Sequence, residues 1–155
     1  KGERQKMTEN KATKSPEETL AEIYRNAQLA LVSIADILPA VEDEAVKTEL
    51  HAQHEKYEHF SAKAAMIARD KGIELKEPNP MKKVMMWGSI KMSTLTNNSR
   101  EHIADMMLQG TVMGISALRT TESDYVAENE DEILSLLHEM ITAEEEFEKK
   151  WKEFL

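Results

Sequence analysis

Apolar residues recur at alternating spacings of three and four through four long stretches of this chain, and that repeat limits the possible folds more than any other feature. Such spacing gathers side chains on one stripe of an α-helix, and amphipathic helices leave water only by packing their stripes together. At 155 residues, the chain fits one domain, long enough to bury roughly two-thirds of its unfolded surface. The predicted fold class is all-α, an antiparallel four-helix bundle over residues 15–155, with residues 1–14 as a disordered basic tail. In that tail Lys1, Arg4, Lys6, Lys11 and Lys14 outweigh Glu3 and Glu9, and no apolar period is present.

Local chemistry marks the helix ends. Ser15-Pro16-Glu17-Glu18 supplies an N-cap serine, a proline at the first helical position and a glutamate able to return a hydrogen bond to the cap. The first helix then presents Leu20, Ile23, Tyr24, Ala27, Leu31, Ile34 and Leu38 inward until Pro39 stops it, with Glu22, Arg25 and Ser33 on the opposite face. A second helix is predicted from about Asp43 to Lys71, turning Val46, Leu50, Tyr57, Phe60, Ala64 and Ile67 inward and closing on Gly72 in a left-handed conformation. Pro78 and Pro80 lie in a long crossing loop, and Asn79-Pro80 opens a short extra helix with Met81, Val84, Met85, Trp87 and Ile90. Asn98 or Ser99 caps the third helix, whose inner positions are Ile103, Met106, Met107, Gly110, Met113, Gly114, Ala117 and Leu118. Two interior glycines each cost roughly 1 kcal/mol against alanine, which predicts a close helix approach to offset them. Asn129 with Glu132 reads as the box opening the fourth helix, which continues through Ile133, Leu137, Met140, Ile141, Phe147, Trp151 and Leu155.

Composition removes several functions. A net charge of −9 argues against nucleic-acid binding, which needs clustered Lys and Arg to neutralise phosphates. The absence of cysteine rules out disulfides, thiolate catalysis and sulfur-ligated metal sites. No stretch approaches a membrane span and no apolar signal segment opens the sequence, so the expected compartment is the cytoplasm. Ten methionines are many for this length; soft side chains fill irregular cores, and as a second reading they form adaptable contact surfaces for a homodimer or a protein partner. A phosphate-binding glycine loop and a nucleophile elbow are both missing.

The polar residues near the stripes are where chemistry would reside. His51, His54 and Glu58 share one flank of the second helix, with His54 predicted to lie nearest the core; that flank reads either as solvated helix surface or as part of a metal site. Gln28 on the first helix and Thr111 on the third border the apolar face, and Thr111 is able to bond its own helix. Glu144 stands in the middle of the fourth stripe. A buried carboxylate is costly alone, so Glu144 requires a partner such as His54, Tyr57, a lysine or a cation, unless its helix frays and lets it reach solvent. His138 is expected on the surface.

Tyr24-Arg25-Asn26-Ala27-Gln28, His54-Glu55 with Glu58, and Gln109-Gly110-Thr111 give residues 17–155 a resemblance to the ferritin-like superfamily. The chain is similar to small bacterial ferritin-like domains of unknown function and, more distantly, to rubrerythrin. That resemblance implies a two-metal centre of inward glutamates and Glu-x-x-His pairs. The positions of Gln28 and Thr111 look like those of ligand glutamates, and Ile141-Thr142-Ala143-Glu144 stands where Glu-x-x-His would be. Glu144, Glu58 and His54 remain as candidate metal ligands.

Two functions follow from different classes. The first is a non-enzymatic bundle with a degenerate metal site and no cofactor, acting by self-association or by binding a partner. The second is an iron-handling or oxidoreductase protein holding iron or manganese on an altered site of Glu58, His54 and Glu144.

Overall fold

The computed structural model describes residues 14–76, 97–125 and 131–155, all numbered as in the sequence. Four helices carry the fold: α1 Pro16–Ile37, α2 Glu44–Lys71, α3 Arg100–Asp124 and α4 Glu132–Glu153. No strand occurs among the described residues; Lys14 and Tyr125 form one isolated bridge. No described helix is long and apolar enough to cross a membrane. The predicted extra helix and its cap at Asn79 lie outside the described residues.

Each helix starts on a side chain that accepts a hydrogen bond from an otherwise unpaired backbone N–H. Ser15 accepts from Glu18, Asp43 from Val46, Ser99 from His102 and Asp131 from Leu134. Such caps contribute about 1 kcal/mol each. The fourth corrects the predicted start of the last helix, since Asp131 and not Asn129 caps it. Lys71 ends α2 and Gly72 follows at φ 68°, the left-handed conformation that glycine adopts without strain. Helix α1 stops at Ile37, two residues before the predicted boundary, and Leu38–Ala40 form a 3-10 turn around Pro39.

The core is a seam along each helix. On α2 Val46, Leu50, Gln53, Tyr57, Phe60, Ala64 and Ile67 are buried, and on α4 Ile133, Leu137, Met140, Glu144, Phe147 and Trp151. On α1 the matching positions are Leu20, Ile23, Ala27, Ala30, Ile34 and Ile37. Steps of three and four alternate, the period at which side chains of one helix insert between those of another. Trp151, Phe60, Leu20, Ile23 and Leu137 are fully enclosed, each adding roughly 1.5–3 kcal/mol relative to exposure.

Several side chains depart from the predicted faces. Ser33, expected outside, is buried and donates to the Leu29 carbonyl at 2.6 Å, so its hydroxyl needs nothing beyond its own helix. Tyr24, Leu31 and Leu38 pack only at the edge of the core. Met113 is exposed, as are Ala117 and Leu155.

Contacts between helices define the two ends of the molecule. At one end the Lys14 N–H donates to the Asp124 carbonyl at 2.7 Å, its amine donates to Thr121 at 3.1 Å, and Lys71 pairs with Glu132. At the other end Arg100 pairs with Asp43 and lies over the Phe154 ring, and the Asn98 amide donates to the Ala40 carbonyl. Between them, Tyr57 meets Glu144 and Lys63 meets Glu139. Lys14, the last residue of the predicted tail, is thereby fastened to the end of α3.

Candidate functional site

Glu144 lies in the α4 seam halfway along the bundle and is 1% exposed. Its position follows from spacing: Met140 and Phe147 flank it at the same three- and four-residue steps, so any packing that buries them buries the carboxyl group. From α2 the Tyr57 hydroxyl donates to Glu144 Oε2 at 2.6 Å, and the Tyr57 ring packs against Phe147 with centroids 5.4 Å apart. The second carboxyl oxygen, Oε1, is buried with no hydrogen-bond partner.

Helix α3 closes the site with a residue that has no side chain. A Cβ at Gly114 would stand 2.9 Å from Glu144 Oε2 and 3.1 Å from Oε1, closer than a methyl group tolerates. The predicted reason for an interior glycine, close approach of another helix, is therefore met by a carboxyl group lying against the α3 backbone. The Asn26 amide from α1 donates to the Gly114 carbonyl at 3.2 Å and holds α1 to α3 at this level.

Beside these residues α1 and α3 part to leave a cavity of about 50 Å³. Carbon lines most of it, from Leu29, Ala30, Met107, Met113, Ala117 and Leu118, while Glu144, Tyr57 and Asn26 supply polar atoms. Arg25 and Glu22 pair with one another on its wall, each about one-third exposed or less.

Burial in these surroundings pushes the Glu144 carboxyl up to about 8, and the Tyr57 hydrogen bond only partly opposes that rise. Burial, and then the neighbouring carboxyl group, hold the Tyr57 phenol well above its usual range. Near neutral pH Glu144 is thus mainly a neutral acid, able to donate a hydrogen bond from one oxygen while accepting one on the other.

The other predicted ligands lie elsewhere. His54 Nδ1 and Glu58 Oε1 pair with each other at 2.9 Å, with Glu58 63% exposed, whereas Glu144 bonds inward to Tyr57. Gln53, not His54, is the member of that stretch nearest the core: its amide donates to Glu49 and its carbonyl accepts from Trp151 Nε1 at 3.2 Å. Gln28 donates to Ser61 at 2.7 Å, and Thr111 donates to the Met107 carbonyl at 2.7 Å. Both neutral side chains are therefore already engaged within the protein. His138 is exposed and pairs with Glu122. Among the described residues no three His, Cys, Asp or Glu side chains gather closely enough to hold a metal ion. A pair of hard cations needs several converging carboxylates, and the donor set around Glu144 does not fit that requirement.

Gly114 and Asn26 were not singled out as site residues from sequence, although Gly114 occupied an inner position and Asn26 lay in the quoted first-helix motif. Comparisons of the chain with protein-family models, with curated proteins and with solved structures give no match.

Proposed function

We propose that this chain is a non-enzymatic, cytoplasmic antiparallel bundle of ferritin-like type that works by binding, with the mid-bundle carboxylate recruited into a carboxyl–phenol pair in place of metal ligation. The observation that carries this reading is the Tyr57 hydrogen bond to Glu144 at 2.6 Å, with His54 and Glu58 paired on a separate, solvent-facing flank. The order of the helices supports the ancestry. Glu132 beside Lys71 and Asp43 beside Arg100 put the end of α2 and the start of α3 at opposite ends of the molecule. A single long connection of that kind distinguishes ferritin-like bundles from simple up-and-down ones.

Val112 and Met113, adjacent and about half exposed on α3, are the apolar surface through which a homodimer or a protein partner would attach. A second reading, iron handling at Glu144, is favoured by the unpaired Oε1. Elemental analysis of protein purified without chelator decides between them. The non-enzymatic reading expects less than about 0.1 iron, manganese or zinc per chain, unchanged by Glu144→Ala. Metal near one per chain that disappears with Glu144→Ala overturns it in favour of iron handling.

A further inference from the structure

Glu144 Oε1 combines three properties that a structural carboxyl group does not need. It is buried, it has no partner, and it belongs to a residue that lines a cavity. A buried polar atom left unpaired is unfavourable, and apolar substitution would remove that cost. The cavity's size, about 50 Å³, corresponds to roughly three to five water-sized groups. Its walls are chiefly hydrocarbon, from Leu29, Ala30, Met107 and Leu118. Gly114 lets the carboxyl group lie directly against the α3 backbone, since a Cβ there would press on both oxygens.

We infer that this cavity binds a small uncharged molecule with a short apolar body and one hydroxyl oxygen, of which an aliphatic alcohol is the simplest, with that oxygen against Glu144 Oε1. A hydroxyl group both donates and accepts, so it satisfies Oε1 whether the carboxyl group is protonated or ionised. An ion is disfavoured because Glu22 and Arg25 on the wall pair with each other, and an ammonium or carboxylate would lose its hydration against carbon. The apolar body of the ligand packs on Met107 and Met113, whose flexible thioethers adapt to different chain shapes. The inference rests on the reading of Glu144 as free of metal.

The test uses the full chain carrying 13C-labelled methionine methyl groups, assayed for metal and then treated with chelator. Titration with n-butanol is expected to move the Met107 and Met113 methyl signals saturably in the millimolar range while Met66 and Met140 stay still. Glu144→Leu removes the polar base of the cavity and is expected to weaken the effect about tenfold, the equivalent of one hydrogen bond. Gly114→Ala, which covers the same oxygens, gives an independent route to the same loss should the first variant fail to fold. Absence of a saturable response at Met107 and Met113, an equal response at Met66, or preferential binding of n-butylammonium or butyrate overturns the inference. Metal found before chelation overturns the metal-free reading instead, so the two failures are distinguishable.

Discussion

Trp151 donates its indole N–H to the buried carbonyl of Gln53 at 3.2 Å, one helical turn along α2 and about two along α4 from the place where Tyr57 meets Glu144. Two polar links therefore join α2 to α4 inside an otherwise apolar seam. Gln53→Leu leaves the enclosed indole N–H unpaired, and Trp151→Phe leaves the amide oxygen so. Each change is expected to destabilise the protein by about 1–3 kcal/mol, and the double variant to be less destabilised than the sum by about 1 kcal/mol. Urea unfolding of the four proteins measures that coupling; strict additivity would mean that the hydrogen bond contributes nothing.

Glu144 sets a pH dependence of defined sign. Its carboxyl group titrates at about 8 when folded against an ordinary 4.5, so the folded chain holds the proton more tightly than the unfolded chain. The resulting stability is fully present below the unfolded value and is lost as pH rises through the folded one. Relative to Glu144→Gln, which stays neutral, the natural protein is expected to lose a few kcal/mol between about pH 5 and about pH 9. Parallel unfolding curves for the two proteins across that range would contradict the assignment.

Tyr57→Phe deprives the Glu144 carboxyl group of its hydrogen bond from the Tyr57 hydroxyl. Because that bond lowers the carboxyl pKa, its removal is expected to raise the titration point further, together with a loss of about 1–3 kcal/mol in stability. Carboxyl-carbon NMR shifts followed against pH report the first effect and urea unfolding the second. An unchanged titration point would show that burial alone sets it.

Gly114→Ala has a sign that depends on its neighbour. In an ordinary helix interior the change stabilises by roughly 1 kcal/mol, but here the new methyl group meets the Glu144 carboxyl at 2.9 Å and 3.1 Å. The substitution is expected to destabilise the natural chain, by displacing the carboxyl group from Tyr57, and to stabilise a Glu144→Ala background. Thermal unfolding of the four combinations checks this; the same sign in both backgrounds would remove the steric argument.

The helices were legible in the sequence because period and capping are local properties: Ser15 and Gly72 act where their chemistry placed them, Ser99 is the one of the two candidate residues that caps α3, and Asp43, the expected start of α2, stands just before it as its cap. Glu144 was legible as an inward carboxyl group, with Tyr57 among its possible partners. Gln53 was missed because its amide looks polar in sequence, although an ideal 100° step puts residue 53 near the centre of the α2 stripe and residue 54 roughly a quarter-turn off it. Ser33 was missed for a related reason: a hydroxyl group looks polar in sequence but costs little to bury once its own helix accepts its proton. The exposure of Met113 follows from the gap between α1 and α3, a tertiary feature that no single helix encodes. Asp131 was passed over because Asn129, two residues earlier, offers an equally plausible cap.

The lone carboxyl group in the α4 seam also fixes axial alignment. Seven-residue repeats look alike after a shift of one repeat, so hydrocarbon alone would hold slipped arrangements of α4 against α2 nearly as well. Such a slip would carry the acid to the level now held by Leu137 or Trp151, away from the single phenol that meets it. A polar pair with one correct partner thus works as an index mark along the bundle axis, admitting one sliding position among several that the apolar residues would accept.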